Sequence, residues 1–333
     1  MSWAAAMSTI GIDHEARTAI VHNETKVNGI RYHYAEAGSG PLVLLLHGVA
    51  DLGYAWRKQL PALAAAGYRA VAPDLRGCGR SEVLPHVEDY SILRHAEDVR
   101  ALIAALGARD AVLVGHDWGA NLTWATTLLY PALVRAVVSL SIPFYPQPRD
   151  PAEIHRFSEG RFDFTSYFQK PGAAEAEMQA DPRGFFRRFF VGMSGDAPAG
   201  TIDYQFRKKP ADARLLDGFP DPGVLPPWLT EADIDIYVSA YMRTGLGGVL
   251  GFYRNIDADY RALAPAYARV PKQPVLFIGG ALEPAVRFGS VEPMTAALPD
   301  LRGVLVLPGC GHWVQQERAA EVNAAIIDFL SRV

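Results

Sequence analysis

The chain has 333 residues, half of them apolar and a fifth charged, a balance that fits a protein with one large buried core. Its formal net charge of −4 leaves no surplus of lysine and arginine to neutralise phosphates, which argues against a nucleic-acid partner. Two cysteines, Cys78 and Cys310, are too few for a disulfide framework and suit a reducing, cytoplasmic compartment.

Residues 1–24 read as an N-terminal extension. "MSWAAAMSTIGIDHEARTAI" has a short apolar patch but neither the basic start nor the apolar length of a signal peptide. No apolar run approaches the ~20 residues that span a bilayer, so no membrane partner is expected. Residues 22–36 alternate as two strands around "VNG". "PLVLLLHG" is a continuous apolar run, the pattern of a strand buried on both faces of a parallel sheet. A helical pattern through "AWRKQLPALAAAG", a strand in "YRAVAPDLRG" and a helix in "SILRHAEDVRALIAALG" follow. "AVLVGHDWG" supplies a strand and a tight turn, then a helix to about Tyr130 and the strand "VRAVVSLSI". Strands alternating with helices at this spacing predict a mostly parallel central sheet flanked by helices, an α/β fold.

The alternation stops at "PFYPQPRDP". Residues 144–256 are rich in proline and aromatic residues without a convincing buried strand, and are read as an inserted α-helical cap. Within them "GFFRRFF" places Phe185, Phe186, Phe189 and Phe190 on one helical face, either packed on a core or offered to a membrane. The α/β pattern resumes with "QPVLFIGG", "VEPMTAAL", "RGVLVLPG" and a terminal helix. The predicted organisation is a core of residues 25–143 and 257–333 interrupted by the cap at 144–256.

In an open parallel sheet, chemistry gathers at the carboxyl ends of the strands. His47, Asp74, Asp117, Glu283 and His312 all fall there. Asp117, Glu283 and His312 follow the chain order nucleophile, acid, base. Each has a plainer alternative: Asp117 as a helix N-cap, His312 as a loop histidine, and Glu283 as a solvated carboxylate. Asp74 and Arg76 read as turn-forming residues, and Cys310 as packing. No phosphate-binding glycine fingerprint or metal-ligand cluster is evident, so neither cofactor nor metal is expected.

Taken together, "LLLHG", "APDLRGCGRS", "VGHDWGANLTW", "YFQKPGAAEAE", "GFYRNID" and "GCGHWVQQE" resemble the soluble epoxide hydrolases of the α/β-hydrolase superfamily. The resemblance covers nearly everything beyond residue 25. It implies an α/β-hydrolase fold with a helical cap. Asp117 is then the nucleophile, His312 the base, Glu283 the acid and Tyr253 a cap proton donor, with the backbone amides of Val49 and Trp118 as the oxyanion hole. His47, Phe144, Phe164, Tyr167 and Trp313 are expected in the substrate pocket. The implied partner is a small epoxide, apolar or aryl-substituted, acted on by a monomer or homodimer.

Three departures from the family pattern stand out. His47-Gly48-Val49-Ala50 lacks the proline usual at the fourth position. The acid is glutamate where aspartate is usual. Phe164 occupies the place of the family's first cap tyrosine, with Tyr167 one turn away as a possible substitute. Two other readings remain at this stage: a haloalkane or haloacetate dehalogenase using the same triad, and a ligand-binding protein on a hydrolase scaffold. Val49, where haloalkane dehalogenases commonly place asparagine, weighs against the first, and the intact Asp117, Glu283, His312 and Tyr253 against the second.

Overall fold

A computed structural model describes residues 18–147, 150–153 and 159–333; the first 17 residues of the expected N-terminal extension lie outside the described residues. The strands are β1 (Val21–Val27), β2 (Ile30–Ala37), β3 (Leu42–Leu46), β4 (Arg69–Pro73), β5 (Ala111–His116), β6 (Val134–Leu140), β7 (Val275–Gly280) and β8 (Leu301–Leu307). They form one sheet in the order β1-β2-β4-β3-β5-β6-β7-β8. Pairings β1–β2 and β2–β4 are antiparallel, and all those from β4 to β8 are parallel.

The sequence pattern of each strand follows from its place. β3 and β5 lie inside the sheet and every residue is buried, as their unbroken apolar runs require. β8 is an edge strand, and its residues alternate between half-buried and exposed. Successive side chains of the inner strands feed opposite faces. Leu44, Leu46 and Leu113 pack against α2 (Ile92–Ala105) and α3 (Trp118–Leu129), while Val43, Leu45, Val112 and Val114 face α1 (Gln59–Ala65) and the C-terminal helix Ala319–Leu330.

Between β6 and β7 the chain is helical. α4 (Phe164–Gln169), α5 (Ala173–Ala180), α6 (Pro182–Gly192), α7 (Glu231–Thr244), α8 (Gly247–Arg254) and α9 (Ile256–Leu263) are its main elements. Among the described residues of this stretch the only β pairing is an isolated bridge between Arg161 and Pro210. Asp181 caps α6 through the Gly184 amide, with Pro182 at its first position. Phe185, Phe186, Phe189 and Phe190 are all buried, with Phe186 against Tyr237 and Tyr241 of α7. Arg187 and Arg188 instead reach backbone carbonyls of Gly223, Phe219 and Leu216. The phenylalanine face is therefore a packing face. No helix among the described residues is long and apolar enough to cross a membrane.

Candidate active site

Asp117 stands at the turn from β5 into α3 with φ 54° and ψ −121°, a conformation that L-residues rarely adopt. The neighbouring glycines make room for it. A Cβ on Gly115 would lie 2.2 Å from the Gly119 carbonyl oxygen, one on Gly119 2.1 Å from that of Leu46, and one on Gly48 2.4 Å from the Asp117 carboxylate. The Asp117 side chain makes no N-cap hydrogen bond to α3, so capping does not account for it.

Its two oxygens have different neighbours. The Val49 amide donates to Oδ1 at 2.8 Å, and the Trp118 amide also acts on the carboxylate. Oδ2 faces Nε2 of His312 at 3.9 Å. On the far side of that ring, Nδ1 donates to Oε2 of Glu283 at 2.7 Å. Glu283, at the end of β7, is only 3 % exposed, which removes the solvated-carboxylate alternative. Its second oxygen accepts the Ala285 amide at 3.3 Å, so the longer glutamate is held from both sides.

Burial raises the Asp117 carboxyl above its ordinary value, against the pull of His312 and the two amides. Burial likewise opposes charge on His312, but Glu283, by charge and hydrogen bond, and then Asp117 outweigh it and push the imidazole up to about 9. Glu283 and Asp117 together thus favour the charged form of the His312 ring that lies between them.

Tyr253, on α8, has its ring edge-on to Trp118 with centroids 5.1 Å apart. Burial and then the charge of Asp117 hold the phenol well above its ordinary pKa, while the Trp118 indole N–H is directed at its oxygen. The phenol keeps its proton and has it available to donate. Phe164 packs among Phe162, Phe168 and Phe206, and Phe168 in turn touches Tyr253. Tyr167 does not take over the missing hydroxyl's place. Its own hydroxyl donates to Glu177, which also accepts the amides of Leu215 (2.8 Å) and Leu216 (3.1 Å).

Three of the residues expected in the pocket are almost wholly buried. His47 is fully buried, its Nδ1 directed at the Gly48 carbonyl and its Nε2 accepting the Leu75 amide at 2.9 Å. Trp313 donates its indole N–H to the Phe190 carbonyl and sets its ring edge against His312. Phe144 packs on Trp124 and Tyr267. All three are buried, and the polar atoms of His47 and Trp313 are engaged by backbone.

Other supports carry little signal in the sequence. His116 is held neutral by burial, and its Nε2 donates to the His312 carbonyl at 2.7 Å. Ser141 donates to the same carbonyl at 3.1 Å. Glu317 accepts the amides of Gly311, Gly195 and Trp313 at 2.8–2.9 Å, stitching down the loop that carries His312. Only the adjacency of His116 to Asp117 and of Glu317 to His312 hinted at these roles. Cys78 and Cys310 are both free and buried. Among the described residues no three histidine, cysteine, aspartate or glutamate side chains are grouped to hold a metal ion.

A family model described as the α/β hydrolase fold matches residues 41–197. The chain is 38% identical over 310 residues to epoxide hydrolase A of Mycobacterium tuberculosis, covering 91% of this chain and 95% of that one. Among solved structures it resembles an epoxide hydrolase from an endophytic Streptomyces, with a TM-score of 0.89 and 43% identity over 94% of this chain and 95% of that one. It also resembles epoxide hydrolase A from Mycobacterium thermoresistibile, with a TM-score of 0.87 and 39% identity over 94% and 98% of the two chains.

Proposed function

The chain belongs to the epoxide hydrolases of the α/β-hydrolase superfamily, and from that membership we propose how its own residues turn an epoxide into a vicinal diol. The observation that carries the proposal is the division of labour between the Asp117 oxygens. Oδ1 is held by the Val49 amide, whereas Oδ2 faces the His312 ring. Oδ2 attacks a ring carbon of the epoxide, the carbon–oxygen ring bond breaks, and the departing oxygen takes the Tyr253 proton. The product is an alkyl ester of Asp117.

Formation of the ester removes the charge of Asp117 and with it one of the attractions that keep His312 protonated. The imidazolium proton passes to the tyrosinate, leaving a neutral base at the moment one is needed. His312 then takes a proton from water, which attacks Cγ of Asp117. Charge develops on Oδ1, against the Val49 and Trp118 amides. The Cγ–Oδ2 bond breaks, Oδ2 takes the second proton of the added water, and the diol leaves with Oδ2 as its new hydroxyl oxygen, returning Asp117 to carboxylate and His312 to imidazolium. Glu283 keeps the His312 proton on Nδ1 and stabilises the imidazolium. No step calls on a cofactor.

Residues 144–256 act in this reading as a cap over a core formed by 25–143 and 257–333, with Tyr253 delivered from the cap side. The rings of Trp118, Phe168, Phe252 and Tyr253 gather beside Asp117 and favour an apolar or aryl-bearing epoxide. The two free, buried cysteines fit a cytoplasmic setting. A panel of styrene-type, terminal and internal epoxides with haloalkanes as controls tests the reading. Diol is expected from the epoxides without halide from the controls, and Asp117→Asn should abolish turnover. Halide release exceeding diol formation, or full activity in Asp117→Asn, overturns it.

A further inference from the structure

The loop that presents the Val49 amide carries an unusual backbone. Ala50 has φ 58°, in the left-handed region that costs an L-residue conformational energy. A proline, fixed near φ −65°, is incompatible with it. The missing family proline is thus matched by a different turn, one that something else must hold.

The next residue is placed to hold it. Asp51 is fully buried. Its Oδ1 accepts the Tyr237 hydroxyl at 2.7 Å and its own neighbour's amide, Leu52, at 3.0 Å. Its backbone carbonyl accepts the Tyr241 hydroxyl at 2.7 Å. Oδ2 meets the Gln316 amide at 3.5 Å, four residues beyond His312. Tyr237 and Tyr241 lie one turn apart on α7 and so present the same face. These hydrogen-bond partners are neutral, and burial raises the carboxyl to about 7 against their pull and the charges of Arg57 and His312, so an apolar residue of the same size would be cheaper to bury. Fold stability alone does not account for Asp51.

We propose that Asp51 is a positioning residue for the oxyanion hole: through Ala50 it fixes the Val49 amide on Asp117 and ties that amide to helix α7. The inference rests on the covalent route above. Its effect should fall on one step only. During ring opening Asp117 loses charge, so its amide donors gain nothing in the transition state. During ester hydrolysis Oδ1 gains charge, and a misplaced Val49 amide then slows the reaction.

Single-turnover kinetics with an aryl epoxide, following ester on the Asp117 peptide by quenching and mass spectrometry, separate the two steps. In Asp51→Ala, ester formation should stay near the wild-type rate while ester decay slows by about tenfold or more, short of the roughly 10²–10³-fold loss of a deleted donor. Tyr237→Phe should show the same selectivity more weakly, and it decides the question alone if Asp51→Ala does not fold. Adding Ala50→Gly to Asp51→Ala should restore part of the decay rate, because glycine adopts φ 58° freely. Formation and decay falling by the same factor, unchanged decay, or no rescue by glycine overturns the inference. Absence of any ester on wild-type Asp117 would instead overturn the covalent route beneath it.

Discussion

Asp117 answers a chemical need that a serine at the same turn does not meet. An epoxide offers a saturated carbon, and a serine opening it would end as a stable ether. A carboxylate forms an ester whose acyl carbon gives water a second point of attack. The ring oxygen must also be protonated as it leaves, and in the proposed mechanism that demand falls on the Tyr253 phenol. Phe164 has no hydroxyl, and the hydroxyl of Tyr167 is committed to Glu177. Tyr253→Phe should therefore slow ester formation by about 10²–10⁴-fold, the usual range for a general acid, while Tyr167→Phe leaves it nearly unchanged. Rapid-quench measurement of the two variants checks this, and equal effects would contradict the assignment to Tyr253.

At the scale of elements, the site is held by three strand ends: β5 presents Asp117, β7 presents Glu283, and the loop after β8 presents His312. The turn after β5 requires glycine where backbone meets backbone. Gly119→Ala would set a Cβ 2.1 Å from the Leu46 carbonyl oxygen, so β3 or α3 must shift. The expected result is a loss of about 1–3 kcal/mol in urea-monitored stability, the scale of overpacking elsewhere, with activity falling further. Retention of both would mean that the turn is looser than its contacts imply. Asp117, Glu283 and His312 were legible in the sequence because each follows an apolar strand in a recognisable order. The direction of the Tyr167 hydroxyl was not, since it depends on Glu177 and on a loop near residue 215. The burial of His47 was equally hidden, because its partners, Gly48 and Leu75, contribute only backbone atoms. The left-handed turn at Ala50 was signalled only by the missing proline, and its support comes from a helix more than 180 residues away in the chain.

For the molecule as a whole, the charged site is also a contribution to stability. His312 titrates at about 9 in the folded chain against an ordinary 6.5. Between those values the folded state binds a proton that the unfolded state has released. This contribution is complete below about pH 6.5 and is lost as pH rises through about 9. Glu283→Gln removes the strongest attraction on the imidazolium. The unfolding free energy of that variant should fall less steeply than wild type across this window; an equal or steeper slope would contradict the pairing. The central claim, a covalent ester on Asp117, has a more direct test: one turnover in heavy-oxygen water, followed by digestion and mass spectrometry of the peptide that contains Asp117. The covalent route predicts one heavy oxygen in that peptide and an unlabelled first-turnover diol; heavy oxygen in the diol with none in the peptide would contradict it.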